Sequence, residues 1–313
     1  MLSTTPFEVP QYLLDRARGL ARVPMAVAGA DNMVVMESAR QATDAGLITP
    51  VLVGNRDKIE SLAATMGWDI SGFRIVETGG EDESAAARAA VALARDGEVK
   101  ALMKGHVHTD ALMAAVVARE TGLRTGRRLS HVFHMTVPGS DRVLMITDGA
   151  VNVAPNENTL MDIVNNAVGL AHALGNAEPK VAILSGTESA IPAMPSSMQA
   201  QAIVERARAG EVTGALVDGP FAFDNAVSPE AAKFKGITSP VAGNADILVV
   251  PNIETGNGLF KMMVYFMSGL AAGVVLGAKV PIVLTSRADP PEARFAATAI
   301  AAIAAAGETS GPV

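Results

Sequence analysis

The chain has 313 residues, 49% of them hydrophobic, more than one compact core ordinarily uses, so two domains are expected. A net charge of −7 with no visible basic face argues against a nucleic-acid surface, although local Arg, Lys and helix N-termini still allow small anionic ligands. The chain has no cysteine, which excludes disulfides, a thiolate nucleophile and cysteine-ligated metal, and fits a reducing cytoplasm.

The N-terminus, Met1-Leu2-Ser3-Thr4-Thr5-Pro6, has neither a basic region nor an apolar core, so no signal peptide is expected. From there the chain alternates short apolar runs with Ala-rich stretches. Strands are expected at 25–28, 51–53, 74–76 and 101–103, with helices over 33–45, 56–66, 83–95 and 109–120. The runs 131–137 and 143–146 then lie close together around Pro138-Gly139-Ser140-Asp141, a hairpin signal inside a mostly parallel pattern. Helices over 158–174, 194–209 and 229–234 separate strands at 181–184, 215–217 and 247–250. A helix over 258–270, a strand at 282–285 and a helix over 291–305 follow. Strands that are apolar throughout suggest burial on both faces, as in parallel sheets, and the βαβ rhythm gives an α/β fold. The segment 262–284 contains Gly269, Gly273 and Gly277 at membrane-helix spacing. Its β-branched residues Val274, Val275, Ile282 and Val283 favour a helix followed by a strand instead.

Polar chemistry gathers where the predicted strands end, which is where open α/β sheets bind ligands. Lys104-Gly105-His106-Val107-His108 follows one strand, Thr147-Asp148-Gly149-Ala150-Val151-Asn152 another, and Asp218-Gly219-Pro220 a third. Asn252-Ile253-Glu254-Thr255-Gly256-Asn257 with Lys261 follows the strand at 247–250, and Ser286-Arg287-Ala288-Asp289 follows the strand at 282–285. His106 and His108 alternate as a metal pair would, yet no third ligand follows at a usable spacing, and contact with substrate is the better reading. His131 and His134 lie on opposite faces of a strand and read as structural. Asp148 and Asp218, each before a glycine, suit an acid or base and equally a turn cap. Lys261 sits among apolar neighbours on its helix, and a solvated lysine is the plain alternative. Ser286-Arg287 is the stronger signal, because a guanidinium binds phosphate in a fixed fork; Asp289 before two prolines also suits a helix cap. Gly256-x-Gly258 places Lys261 where a dinucleotide fingerprint needs a third glycine, and no P-loop, nucleophile-elbow or zinc-protease motif occurs.

Taken together, these segments resemble the phosphate acetyltransferase and phosphate butyryltransferase family. The matching pieces are Lys104-Gly105, Arg128-Leu129-Ser130-His131-Val132-Phe133, 147–152, Val217-Asp218-Gly219-Pro220, 250–257 with Lys261, and Leu284-Thr285-Ser286-Arg287. The resemblance implies two αβα domains with a cleft between them, as in isocitrate and isopropylmalate dehydrogenases. With it, the domains are expected at 1–140 plus 286–313 and at 141–285. It also implies a cytoplasmic homodimer with no cofactor and no metal, whose substrates are acyl-CoA and phosphate. Partners on a membrane or nucleic acid are not expected. The implied reaction is acyl-CoA + phosphate ⇌ acyl phosphate + CoA, with acetyl first and butyryl second. Carried over, Ser286 and Arg287 are catalytic, with Asp289 a candidate base. Lys104, Ser130, Asn152, Asp218, Asn252, Glu254, Gly256, Asn257 and Lys261 are substrate-binding. The acetyltransferases carry an Asp base seven residues after that serine, where this chain has Ala293. That departure leaves two alternatives open, a non-catalytic CoA-binding protein and a metal- and NAD-dependent dehydrogenase of similar architecture.

Overall fold

The computed structural model describes residues 3–79, 82–285 and 289–307. Contacts group the chain into two compact units, one formed by Val9–Arg127 with Ala272–Val313 and the other by Met1–Glu8 with Arg128–Ala271. The sequence division was placed at 140/141 and 285/286; the units instead change over at 127/128 and 271/272. Pairing explains the difference. The strands at 130–136 and 144–147 form one antiparallel hairpin and stay together, while Val274 and Val275 pair with Val283 and Ile282.

The first unit contains α1 (Gln11–Arg18), β1 (Val23–Ala28), α2 (Met33–Asp44), β2 (Ile48–Gly54), α3 (Arg56–Met66), β3 (Arg74–Glu77), α4 (Glu83–Arg95), β4 (Ala101–Lys104) and α5 (Thr109–Val117). The other unit follows with β5 (Ser130–Thr136), β6 (Leu144–Thr147), α6 (Glu157–Ala173), β7 (Lys180–Leu184), α7 (Pro195–Arg206), β8 (Leu216–Phe221), α8 (Phe223–Val227), α9 (Pro229–Phe234), β9 (Ile247–Val249) and α10 (Ile253–Met267). The chain then runs through β10 (Leu270–Leu276), β11 (Ile282–Val283) and α11 (Pro291–Gly307), which complete the first unit.

In the first unit the strand order is β3-β2-β1-β4-β11-β10, parallel except for β10 against β11. Apart from the edge strand β3, Arg74–Glu77, which is charged and exposed at both ends, its strands are largely apolar and buried, as expected for a sheet covered by crossover helices. Helix starts follow from caps: Asn32 accepts from the Val34 amide, Asn55 from Lys58 and Asp82 from Ser84. Residues 293, 296–297 and 299–305 of α11 are buried Ala or Ile, so this helix is a core element that packs on α1, α2, β4 and β11.

In the second unit the order is β5-β6-β9-β7-β8, with β5–β6 antiparallel and the rest parallel. Phe133, Ile146, Leu248 and Val250 are buried in its core, and Phe260 of α10 packs on that core. Phe133 stacks on Phe260 at 3.9 Å between ring centroids. The strand β10 was not expected: the sequence places a helix over 258–270 and the next strand at 282–285, and β10 falls between them. Among the described residues no helix is long and apolar enough to cross a membrane.

His134 on β5 is buried, and the loss of hydration lowers its pKa from 6.5 to about 4. Its folded pKa lies below its unfolded one, so the unfolded chain binds more protons between pH 6.5 and 4. Stability from this group is complete above pH 6.5 and falls as the pH drops, by about 2 kcal/mol at pH 5. Thermal unfolding of wild type and His134→Gln at pH 7 and pH 5 checks this. The variant should lose the steeper part of the acid decline; equal declines would remove His134 as its source.

Candidate active site

Two clusters of predicted site residues form, one within each unit. In the second unit, β6 ends at Thr147 and its loop wraps Asp148, which is only 2% exposed. Asp148 Oδ1 accepts the Ala150 and Val151 amides at 2.9 and 3.0 Å. Oδ2 accepts the Asn152 amide at 3.1 Å and Asn152 Nδ2 at 2.7 Å. The carboxylate is thus consumed as an internal scaffold for the loop, and the turn-cap reading of Asp148 holds. Asn152 Nδ2 also donates to the Leu129 carbonyl at 2.7 Å, which ties this loop to the start of β5. There Ser130 Oγ accepts from Asn166 Nδ2 of α6 at 2.9 Å, and the same amide donates to the Arg128 carbonyl at 3.0 Å.

The neighbouring strand β9 leads into α10. Asn252 is the N-cap, its Oδ1 accepting the Thr255 amide at 2.9 Å and the Thr255 hydroxyl at 2.7 Å. The first turn lies against the Asp148 loop. A Cβ on Gly256 would come within 2.8 Å of the Asp148 carbonyl oxygen and of Gly149 Cα. Gly256 is therefore a close-packing residue, and Asn257 fastens the contact by donating from Nδ2 to the Gly149 carbonyl at 3.3 Å. Asn152, Gly256 and Asn257 meet at the Asp148 loop through these bonds and this close packing, with Ser130 next to Leu129 and Asn252 capping the same first turn of α10.

Glu254 is exposed in the first turn of α10, and Lys261 is exposed two turns along it. Asp218 stands apart on β8, at the far edge of the sheet order from β6. It pairs with Arg208 at 3.1 Å and accepts the Gly219 amide at 3.0 Å. In this structure its carboxylate holds its own loop together.

In the first unit, Lys104, Gly105 and His106 at the end of β4 line a cavity with Thr285 and Arg294. Gly105 is dictated by a crossing of backbones, since its Cβ would meet the Gly29 and Ala28 carbonyl oxygens at 2.5 and 2.6 Å. Ser286 and Arg287 lie outside the described residues. Asp289 is described: its carbonyl accepts from the Arg294 guanidinium at 2.5 Å, while Arg294 Nε donates to Ser38 Oγ at 3.1 Å. Arg294 was not singled out from sequence. The available signal was a lone cation inside an otherwise Ala- and Ile-rich helix. Asn166, a buried amide on the inner face of α6, was also missed. Among the described residues no group of three or more His, Asp or Glu side chains is arranged to hold a metal.

The sequence profile of the family described as "Phosphate acetyl/butaryl transferase" matches residues 81–302. A phosphate acetyltransferase of Rhizobium meliloti is 48% identical over 294 residues, 94% of this chain and 92% of that protein. A phosphate butyryltransferase of Clostridium acetobutylicum is 41% identical over 281 residues, 90% of this chain and 93% of that one. Among solved structures, a branched-chain phosphotransacylase from Enterococcus faecalis superposes with a TM-score of 0.77 at 33% identity, covering 90% of this chain and 99% of that one.

Proposed function

We propose, for a chain that belongs to the phosphate acetyl/butyryl transferase family, that the strand-end residues gathered in its two units serve the family's acyl transfer. The protein is a phosphate acyltransferase, converting acyl-CoA and phosphate to acyl phosphate and CoA. The single observation that carries this is identity of 41–48% over nearly the whole length of both chains. Acetyl is the acyl group put first, from the names of the relatives. CoA and phosphate enter as substrates, and no resident cofactor is part of the reading.

In the direction of acyl phosphate synthesis, a phosphate oxygen attacks the thioester carbonyl, the C–S bond breaks, and CoA leaves with the electron pair. In the reverse direction the CoA thiol, with a pKa of about 8.5, must give up its proton before attack. We assign Arg287 to the oxyanion and phosphoryl oxygens, Ser286 to a neutral hydrogen bond at the same centre, and Asp289 to the proton. Lys104, Ser130, Asn152, Asn252, Glu254, Gly256, Asn257, Lys261 and Asp218 stay substrate-binding in this proposal. Several of them act by shaping the loops rather than by direct contact.

The test is phosphate-dependent release of free CoA from acetyl-, propionyl- and butyryl-CoA, read with a thiol reagent, which is clean because the protein has no cysteine. Turnover with at least one is expected. Silence with all three in folded protein that still binds CoA would favour the non-catalytic reading instead.

A homodimer in the cytoplasm, on an architecture like that of isocitrate and isopropylmalate dehydrogenases, completes the proposal. The outer side of α10 supports the dimer, since Met262, Tyr265, Phe266 and Met267 are 42–59% exposed there. A monomer mass by light scattering at assay concentration would remove that part.

A further inference from the structure

In the second unit the entry to β5 is held by side chains. Asp162 Oδ2 of α6 accepts the Arg128 amide at 3.0 Å, and one turn along the same helix Asn166 Nδ2 donates to the Arg128 carbonyl at 3.0 Å. The next carbonyl, of Leu129, accepts from Asn152 Nδ2 at 2.7 Å. Asn166 is buried and also donates to the hydroxyl of Ser130, which has no exposed surface of its own. A buried amide is costly unless its hydrogen bonds are made, so these bonds hold the frame in the fold itself. What the frame presents outward is Arg128, which is exposed and whose guanidinium pairs with no carboxylate among the described residues. An exposed arginine alone is ordinary. Here both backbone polar groups of the residue are bonded to side chains, and anchoring β5 explains those bonds without requiring a cation at 128. The local charge points the same way: no Asp or Glu occurs between 121 and 140, while Arg124, Arg127 and Arg128 fall within five positions. Asp162, the acid that touches this residue, turns an oxygen to the Arg128 amide, and its field also reaches Arg206.

We propose that Arg128 binds a phosphate group of the substrates. The inference rests on the acyltransferase reading and deepens it by adding a residue to that site. Both substrates carry the chemistry, one as inorganic phosphate and the other as the phosphate groups of CoA. A guanidinium meets a phosphate with two parallel N–H donors and keeps its charge at every working pH. Such a contact is usually weakened by the ordering it demands of a long side chain and the backbone beneath it. At Arg128 the backbone is already ordered by Asp162 and Asn166, so only side-chain torsions remain to be fixed. The residue also sits next to the candidate cluster, because the Asn152 amide that holds the Leu129 carbonyl donates to Asp148 as well.

The experiment measures kcat and KM in wild type, Arg128→Gln, Arg128→Lys and Arg127→Gln, with a thermal melt of each. The substrates are the acyl-CoA that wild type uses best, the same thioester of 3′-dephospho-CoA, and inorganic phosphate. Arg128→Gln should melt with wild type, because the side chain it replaces is exposed. It should raise KM for acyl-CoA or for phosphate by about tenfold or more, the size of a lost charge-assisted hydrogen bond, with kcat changing less. The three substrates tell the sources apart, each in support of the proposal. A rise for acyl-CoA that disappears with the dephospho analogue assigns the 3′-phosphate, one that persists assigns the pyrophosphate, and a rise for inorganic phosphate alone assigns the reacting group. Arg128→Lys keeps the charge without the fork and should recover part of the loss. Arg127→Gln removes the same charge one position earlier and should change either KM by no more than about twofold, as expected of a distant, screened charge. Unchanged KM values in Arg128→Gln would overturn the proposal. So would equal rises in the two glutamine variants, which would leave only a general field. A wild type that turns over no acyl-CoA fails at the earlier step, as an acyltransferase, and is distinguished by having no KM to compare.

Discussion

Asp148→Ala is expected to destabilise the protein by about 3 kcal/mol or more and to lower its melting temperature by roughly 5 °C. The carboxylate is buried and accepts four N–H groups, three from the backbone of residues 150–152 and one from the Asn152 side chain. Deleting it leaves those donors without their acceptor in a place where water reaches poorly, and each such loss costs about 1–3 kcal/mol. The loop also supports the first turn of α10 through Gly149, so its collapse should loosen the contact at Gly256 and Asn257. Asp148→Asn separates shape from chemistry. The amide keeps the volume, but one of its ends becomes a donor facing two donors, so it too should melt well below wild type. A change of less than about 2 °C in both variants would show that the loop holds itself without this side chain.

How much of this was legible in the sequence depended on whether the information was local. The helices α3, α4 and α9 start and stop where expected, because Asn55, Asp82 and Ser228 cap them through hydrogen bonds within three residues. The start of α10 was placed too late. The helix was expected from Gly258, which left Gly256 in the loop, but Gly256 is helical, and its lack of a Cβ serves a contact with a loop more than a hundred positions earlier. No local rule carries that. The helix α1 was missed for a related reason: it is a polar segment that becomes a helix by burying Leu13, Leu14 and Ala17, and it packs on α11 at the other end of the chain. β10 was missed because the stretch between the expected helix over 258–270 and the expected strand at 282–285 was given no element, and its pairing with β11 is tertiary.

The candidate site divides along the same line. Loops at strand ends were readable as sites, since apolar runs give way there to Asp, Asn, Gly and Lys. The job of each side chain was less readable. Asp148 and Asn252 looked like chemistry and are bonded within their own loops. Arg294 drew no reading from the sequence, yet it joins α2 to the Asp289 carbonyl. Composition separates polar from apolar segments. It does not separate a polar group that faces a ligand from one that faces its own backbone.

The largest catalytic effect is expected from Arg287→Ala, which should lower turnover roughly a hundredfold or more while the protein stays folded. Charge develops on the carbonyl oxygen as the tetrahedral centre forms, and phosphate already carries charge, so both substrates want a fixed donor fork. A guanidinium supplies two parallel N–H bonds and stays protonated throughout the enzyme's pH range. Preorganised donors of this kind are typically worth about 3–4 kcal/mol in the transition state. Because the benefit lies in the transition state, the loss should fall mainly on kcat, with KM for acyl-CoA changing less. Arg287→Lys tests geometry against charge. The ammonium keeps the positive charge but presents no fork, so partial recovery over alanine, still well below wild type, is the expected order. Asp289→Asn, measured alongside, should flatten the rise of kcat/KM with pH for the CoA-attacking direction if that carboxylate takes the thiol proton. Turnover near the wild-type level in folded Arg287→Ala would take Arg287 out of the mechanism. The transition-state charge would then have to be met by the remaining candidates, of which Lys104 at the end of β4 is the one carrying a cation beside Thr285 in the same unit.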